Sequence, residues 1–237
     1  MLCVEWLYPL TVTALPDLLE FERPLLERGE IVVGIDEVGR GALAGPLTVG
    51  AVVLTCCAAP PEGLNDSKLL SAARRQALVE PLEAWAAAWS LGSVSASEID
   101  AWGLRLALAV AATRALDGLR VRPTHALIDG PFNLLHSPTD ISFGVTRPPE
   151  LHYRNLTATT IVKGDRLSAS IAAAAVLAKV HRDLVMVELD REFAAYDWAH
   201  NKGYGASAHL DALRTWGPND HHRRSWRLPE MIVSNRS

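Results

Sequence analysis

Residues 31–41 read Ile-Val-Val-Gly-Ile-Asp-Glu-Val-Gly-Arg-Gly, an apolar run that leads into two adjacent carboxylates and a glycine-rich turn. The apolar part, residues 31–35, is short and rich in β-branched side chains, which predicts a buried strand. Asp36 and Glu37 follow at its end. Because neighbouring side chains on a regular strand point to opposite faces, we expect the strand to bend here if both acids serve one site.

In the turn that follows, Gly39 and Gly41 flank Arg40. Glycine accepts backbone angles that other residues avoid, and it lets a ligand come close to the main chain. Arg40 offers a forked cation that suits phosphate. These features indicate a metal site beside an anion-binding turn. Taken alone, the stretch is equally typical of a polar loop after a strand, since acids and glycines are common turn formers.

The sequence from residue 36 to residue 46 is Asp-Glu-Val-Gly-Arg-Gly-Ala-Leu-Ala-Gly-Pro, and it closely resembles the signature of type 2 ribonuclease H, the bacterial ribonuclease HII family. Further motifs of the family follow in its order: Leu-Asn-Asp-Ser-Lys (64–68), Ile-Asp-Gly (128–130), Val-Lys-Gly-Asp (162–165), Ala-Lys-Val-His-Arg-Asp (178–183), Lys-Gly-Tyr-Gly (202–205) and His-His-Arg-Arg-Ser (221–225). The resemblance covers residues 31–226. An ordered set of this kind is much more specific than one Asp-Glu pair.

The resemblance implies that four acids bind metal and carry out catalysis, namely Asp36, Glu37, Asp129 and Asp165. Taken singly, each acid is as readily explained as a turn residue or an ion-pair partner. Brought together without a cation, four carboxylates repel and raise one another's pKa values. Oxygen ligands without Cys or His favour Mg²⁺ or Mn²⁺ over zinc. Two such ions about 3.5–4 Å apart activate a water and stabilise the leaving oxygen in a phosphodiester displacement.

The resemblance also implies the substrate-binding residues. The turn of Gly39, Arg40 and Gly41 corresponds to the family's backbone contact with the ribose, and the 2′-hydroxyl is what separates RNA from DNA. Tyr204 corresponds to a tyrosine that stacks on the deoxyribose after the ribonucleotide. Lys163 and the basic residues 221–224 are expected to meet backbone phosphates. Two alternatives stay open: Tyr204 as a packing residue of the C-terminal part, and residues 221–224 as a solvated basic face.

Other polar residues of these motifs have less decisive interpretations. Asp183 lies four residues after Lys179 in a predicted helix, so we interpret it as a member of a helix ion pair rather than as a fourth metal ligand. Ser67 and Lys68 are expected either to contact a phosphate or to lie at the exposed start of a helix, which Ser67 or Ser71 would cap.

The composition limits the class of protein. The chain has 237 residues, of which 49% are apolar and 21% charged, and its net charge is −4. It is therefore not a generally basic nucleic-acid binder, and contact with nucleic acid has to use a local basic patch or bound metal cations. Three cysteines form no disulfide framework, which favours a reducing, cytoplasmic location. The uncharged residues 41–61 contain several glycines and prolines, so we interpret them as a strand between turns rather than a membrane span.

We predict an α/β fold, a ribonuclease-H-like mixed sheet flanked by helices, with a small C-terminal helical appendage. The predicted divisions are an N-terminal extension (1–28), a catalytic domain (29–194) and the appendage (195–237). Residues 131–160 contain four prolines and show no periodicity, which indicates an insertion or a lid. Predicted strands cover residues 31–35, 47–54, 89–94, 126–128 and 161–162, and predicted helices include residues 104–119 and 171–193. We expect Ser97 to cap the former and Ser168 or Ser170 the latter.

On this basis we expect a monomeric, metal-dependent endonuclease. It would cut the RNA strand of RNA–DNA hybrids and the 5′ side of single ribonucleotides in duplex DNA, leaving 5′-phosphate and 3′-hydroxyl ends, during ribonucleotide and primer removal. A hybrid-binding protein without turnover is the main alternative, but four acids facing phosphate argue against it. A Holliday-junction nuclease of the same fold leaves the turn and Tyr204 unexplained.

Overall fold

The computed structural model describes residues 17–135 and 151–231. It contains five strands and six α-helices in this part of the chain. In order, these are α1 (Arg23–Glu27), β1 (Val32–Val38), β2 (Leu47–Leu54), α2 (Ala72–Trp85), β3 (Ala88–Val94), α3 (Ala96–Asp117), β4 (His125–Asp129), β5 (Thr157–Ile161), α4 (Ala169–Glu192), α5 (Trp198–Asn201) and α6 (Ser207–Trp216). None of these helices has the length and apolar character needed to cross a membrane.

The strands form one mixed sheet in the order β3-β2-β1-β4-β5. Strands β3, β2 and β1 are antiparallel neighbours, whereas β1, β4 and β5 run parallel. Helix α3 packs with one apolar cluster of the sheet and α4 with another. A Cβ at Gly34 would lie 2.2 Å from the Ser170 carbonyl carbon, and one at Gly50 2.4 Å from the Ala174 oxygen. The alanine-rich α4 therefore lies directly against β1 and β2, and the predicted fold class is confirmed.

Strand β1 differs from its prediction. It continues to Val38 instead of ending at residue 35, and its ladder with β2 pairs Asp36 with Gly50 and Glu37 with Val49. The expected bend at the two acids is therefore wrong. Pairing of β1 with β4 ends at Ile35, so the last part of β1 projects beyond its parallel neighbour. Both acids lie on this projecting end, beside the end of β4 at Asp129.

The segment between β4 and β5 also differs from its prediction. Strand β5 begins at Thr157, four residues before the predicted strand at 161–162. Leu135 and Tyr153 are buried in the core, and the Tyr153 hydroxyl is 2.9 Å from an Arg122 guanidinium nitrogen. Two residues of the segment 131–160 thus pack into the domain core, and the interpretation of the segment as an insertion or lid stays a prediction. Residues 136–150 of this segment lie outside the described residues, as do residues 1–16 of the predicted extension and 232–237 of the appendage.

Serine caps fix where the helices begin. Ser71 accepts a hydrogen bond from the Arg74 N–H, and Ser168 caps α4, as predicted. Helix α3 starts earlier than expected because Ser95, not Ser97, forms a capping box with Glu98. It breaks at a glycine, residue 103, whose φ of 74° and ψ of 158° suit glycine alone. The predicted helix 104–119 corresponds to the part of α3 after this break.

The C-terminal appendage has its own small core. Tyr196, Trp198 and Leu213 of the appendage pack with Met186 of α4 and Ala44 of the β1–β2 loop. Main-chain hydrogen bonds reinforce this contact: Leu43 N–H donates to the Gly203 carbonyl at 2.8 Å. The appendage therefore lies against the loop that carries the Gly-Arg-Gly turn.

Candidate active site

Three elements bring the four predicted acids to one end of the sheet. Asp36 and Glu37 lie on the projecting end of β1, and Asp129 is the last residue of the neighbouring parallel strand β4. Asp165 lies in a short 3₁₀ turn between β5 and α4. The Gly164 N–H of this turn donates to Oδ1 of Asp129 at 2.7 Å, which joins the turn to β4. Asp36 and Asp165 are buried, and the other two acids are partly exposed.

The charges of these acids act on one another. Burial raises the pKa of Asp36 well above its ordinary value, and the charges of Glu37 and Asp129 raise it further. Burial also raises the pKa of Glu37, against the lowering effect of Arg40, and Asp129 adds to the rise. The pKa of Asp165 is raised by burial first, while Asp129 adds and a nearby lysine opposes. The four acids therefore share one electrostatic neighbourhood with surplus negative charge.

Two cations partly offset this charge. The Lys68 ammonium lies 3.4 Å from Oδ2 of Asp165, and the Arg40 guanidinium lies 3.4 Å from Oε1 of Glu37. Lys68 is exposed just before α2, which Ser71 caps, and its ammonium also reaches Asp165, so both expectations for Lys68 stay open. Ser67 is buried, so it does not lie at an exposed helix start. No pattern in the sequence indicates that the Lys68 side chain reaches the acids.

The donor set fits a divalent cation. It consists of carboxylate oxygens, and main-chain N–H groups fix one oxygen each of Asp36 and Asp129. A dication would relieve the surplus charge that raises the pKa values. Within residues 17–135 and 151–231, no three His, Cys, Asp or Glu side chains already lie in positions that could hold a metal ion. The acids thus form a shared charged site, and their role as metal ligands stays a prediction.

The Gly-Arg-Gly turn lies beside the acids. Gly39 has a φ of 84°, and a Cβ there would lie 2.1 Å from Nε of Arg182, so a side chain is excluded on two grounds. A Cβ at Gly41 would meet no atom within 4 Å, which leaves this side of the turn open to a ligand. Arg40 is exposed. A cavity of about 320 Å³ opens between the turn and Asp129; its lining includes Glu37, Arg40, Leu104, Arg105 and Phe132.

Tyr204 lies where the appendage meets this turn. Its side chain is 37% exposed, and the Arg182 guanidinium carbon is 5.4 Å from its ring centroid. The Tyr204 carbonyl accepts a hydrogen bond from Nδ1 of His209 at 2.8 Å. A ring with this exposure is not a buried packing residue, and its expected stacking on a sugar stays a prediction. Lys163 is exposed two residues before Asp165, with a left-handed backbone conformation.

The basic segment 221–224 is the clearest disagreement with the sequence-based expectation. His222 and Arg223 are 1% and 0% exposed, so neither the phosphate-binding nor the solvated reading applies to them. Arg224 is exposed and pairs with Asp220. Asp183 behaves as predicted, because it accepts a hydrogen bond from the Lys179 ammonium at 2.6 Å.

Comparison with known proteins gives a consistent result. The family model described as Ribonuclease HII matches residues 33–228. Over 197 residues the chain is 44% identical to the ribonuclease HII of Streptomyces avermitilis, covering 83% of this chain and 77% of that one. Over 208 residues it is 45% identical to the ribonuclease HII of Burkholderia mallei, covering 88% and 86%. The structure of the PCNA:RNase HII complex from Archaeoglobus fulgidus matches with a TM-score of 0.63 and 25% identity, covering 86% of this chain and 98% of that chain.

Proposed function

Because the chain belongs to the ribonuclease HII family and is thus an endonuclease of the ribonuclease H type, we propose that it acts on two substrates. It cuts the RNA strand of RNA–DNA hybrids, and it cuts 5′ of single ribonucleotides embedded in duplex DNA. The products carry 5′-phosphate and 3′-hydroxyl ends. Its role is removal of ribonucleotides and RNA primers during DNA replication and repair. We expect it to act in the cytoplasm as a monomer.

The observation that carries this proposal is the convergence of four acids at one end of the sheet, with the pKa raised at three of them. Asp36, Glu37, Asp129 and Asp165 would hold Mg²⁺ or Mn²⁺, two ions during turnover. When bound, these ions supply an activated water and stabilise the leaving oxygen. The protein's own contribution is to orient the carboxylates, which the main-chain N–H groups that donate to Asp36 and Asp129 support.

Substrate selection is assigned to residues around the acids. The exposed Arg40 and Lys163 are placed to meet phosphates, and Lys68 is close enough to Asp165 to contact a phosphate at the same site. The open side of Gly41 would admit a ribose to the main chain. The half-exposed ring of Tyr204 would stack on the next sugar. These roles follow from exposure and position, and the cleavage pattern tests them.

The direct test is cleavage of an end-labelled DNA duplex with one internal ribonucleotide, in Mg²⁺ or Mn²⁺. We expect one cut on the 5′ side of the ribonucleotide, with a 3′-hydroxyl on the upstream fragment that a polymerase extends. The matched all-DNA duplex should stay intact, and a fully hybrid duplex should be cut at several positions in its RNA strand. Cleavage of the all-DNA duplex, or a cut on the 3′ side, would contradict the proposal.

A further inference from the structure

A second buried feature lies behind the Gly-Arg-Gly turn. Arg223 is fully buried, and its guanidinium donates to three main-chain carbonyls, those of Gly39 at 2.7 Å, Arg40 at 3.0 Å and Gly45 at 3.2 Å. Across the described ranges it forms no ion pair with a carboxylate. A buried cation is costly unless hydrogen bonds satisfy it, so these carbonyls are what holds Arg223 in place.

A second buried arginine completes the arrangement. Arg182 of α4 donates to the carbonyls of Ala44 at 3.1 Å, Pro46 at 2.7 Å and Lys202 at 2.9 Å. Burial, and then repulsion by the Arg182 guanidinium, lowers the pKa of Arg223 to about 10. Packing alone does not require two neighbouring cations here, since an apolar side chain of similar size would fill the space at a lower cost. Their shared property is that each donates to carbonyls of the loop between β1 and β2, and Arg182 also ties this loop to Lys202 of the appendage.

The direction of these carbonyls fixes the direction of the amides. In a trans peptide the C=O and N–H of one unit point to opposite sides, and the described residues contain no cis peptide. With the Gly39 carbonyl turned to Arg223, the Arg40 N–H points away from it; with the Arg40 carbonyl turned inward, the Gly41 N–H points away likewise. Among the described residues neither N–H has a hydrogen-bond acceptor. The turn thus presents two donors on the side where Gly41 is open.

We propose that Arg223 is a positioning residue for cleavage, which presents the N–H groups of Arg40 and Gly41 to the ribose by holding the two carbonyls inward. The inference rests on the proposed function, because it assigns a cause to the selection of ribose by this turn. It also predicts how cleavage of the two substrates changes when Arg223 is replaced. Arg223 acts on the ribose contact, which both hybrids and isolated ribonucleotides use, so both substrates should suffer equally.

The test compares Arg223→Lys with Arg191→Lys. The first variant keeps a buried positive charge but loses the planar, forked guanidinium that reaches the three carbonyls; the second is the same substitution at an exposed arginine of α4. We expect Arg223→Lys to lower kcat/KM roughly 10- to 150-fold on both substrates, the effect of one lost hydrogen bond to a charged group. The Mn²⁺ concentration for half-maximal rate should change less than about twofold, because Arg223 contacts none of the acids. Arg191→Lys should stay within about twofold of the wild type.

A readout without cleavage separates this inference from the proposed function. Hydrogen–deuterium exchange of peptides over residues 37–45 should be faster in Arg223→Lys than in the wild type and unchanged in Arg191→Lys. If the wild type does not cut a ribonucleotide-containing duplex, the proposed function fails, while faster exchange still supports the positioning of the turn. A lower melting temperature with unchanged kcat/KM and unchanged exchange would show that Arg223 only stabilises the appendage. Should Arg223→Lys not fold, Trp226→Leu removes the ring 5.1 Å from the guanidinium and should give a smaller change in the same direction.

Discussion

Acid should destabilise this protein mainly through the buried His222. The hydrogen bonds of His222 and of its neighbour His209 explain why. The Tyr204 carbonyl can only accept, so Nδ1 of His209 carries the proton of that bond. Nε2 of His209 is then an acceptor, for the Trp198 indole N–H at 3.2 Å and for Nε2 of His222 at 3.1 Å. Nδ1 of His222 faces the Asn219 N–H at 3.1 Å and the Asn219 Oδ1 at 2.9 Å. The Trp198 donor keeps the His209 ring neutral, and the lowered pKa of His222 keeps its ring neutral near pH 7.

The size of the effect follows from the pKa of His222. Burial first, and then the neighbouring His209, lowers this pKa from 6.5 to about 4. A depressed pKa means that the unfolded chain binds the proton more readily, so the contribution of His222 to stability is present above pH 6.5 and lost as the pH falls toward 4. At 1.36 kcal/mol per pKa unit, the loss is roughly 3 kcal/mol. The lowered pKa of His209 acts in the same direction.

The measurement must remove the opposite contribution of the acids, whose raised pKa values make the folded state more stable as the pH falls. Urea unfolding in metal-free buffer from pH 7 to pH 4 should therefore compare the wild type with His222→Gln. We expect the wild type to lose roughly 3 kcal/mol more than the variant over this range. His181→Gln, at an exposed position on α4, is the control and should follow the wild type. A difference between wild type and His222→Gln that stays constant with pH would refute the reasoning.

Three further variants test the site and the core. Asp129→Asn keeps the shape of the side chain but removes a charge, so turnover should fall roughly 10³-fold or more. Without metal, the melting temperature of this variant should equal or exceed that of the wild type. Wild-type cleavage at saturating metal would remove this acid from the site. Tyr204→Ala should lower kcat/KM about 5- to 150-fold at an isolated ribonucleotide and less within a long hybrid, with both substrates measured at one salt concentration. Equal losses on the two substrates would mean that the ring only supports the appendage. Leu135→Ala should lower the free energy of unfolding by about 2–5 kcal/mol, since Leu135 is 2% exposed in the core, whereas a dispensable insertion would leave urea unfolding unchanged.

The sheet and the acids could be predicted because each depends on a local pattern. The β-branched run before Asp36 and the apolar run before Asp129 identify two buried strands, and charges at their ends mark one edge of the sheet. The length of β1 could not be predicted. Glu37 and Val38 continue the strand because β2 supplies a pairing partner up to Thr48, and this partner lies outside any local window.

The sequence also could not predict which cationic side chains point into the protein, and the reason is a different one. Arg223 and Arg224 are neighbours with the same side chain, yet one is fully buried and the other is exposed. What separates them is the docking of their main chain against the β1–β2 loop: the Arg223 N–H donates to the Leu43 carbonyl at 2.9 Å, and the Gly45 N–H donates to the His221 carbonyl at 2.8 Å. This short antiparallel contact directs one guanidinium into the loop.

With the role proposed for Arg223, the same docking predicts that the appendage affects which sugar the enzyme selects. The composition of the appendage does not suggest such a role. A basic C-terminal segment is most simply interpreted as a surface for phosphates, which would add affinity for any nucleic acid. Here the segment instead turns a guanidinium toward the carbonyls of Gly39 and Arg40, on the side of the turn opposite its free N–H groups. Under the role proposed for Arg223, this guanidinium contributes to the choice between ribose and deoxyribose rather than to general affinity. The salt dependence of binding separates the two roles, because a lost phosphate contact reduces the slope of log K against log salt and a lost orientation of the turn leaves that slope unchanged.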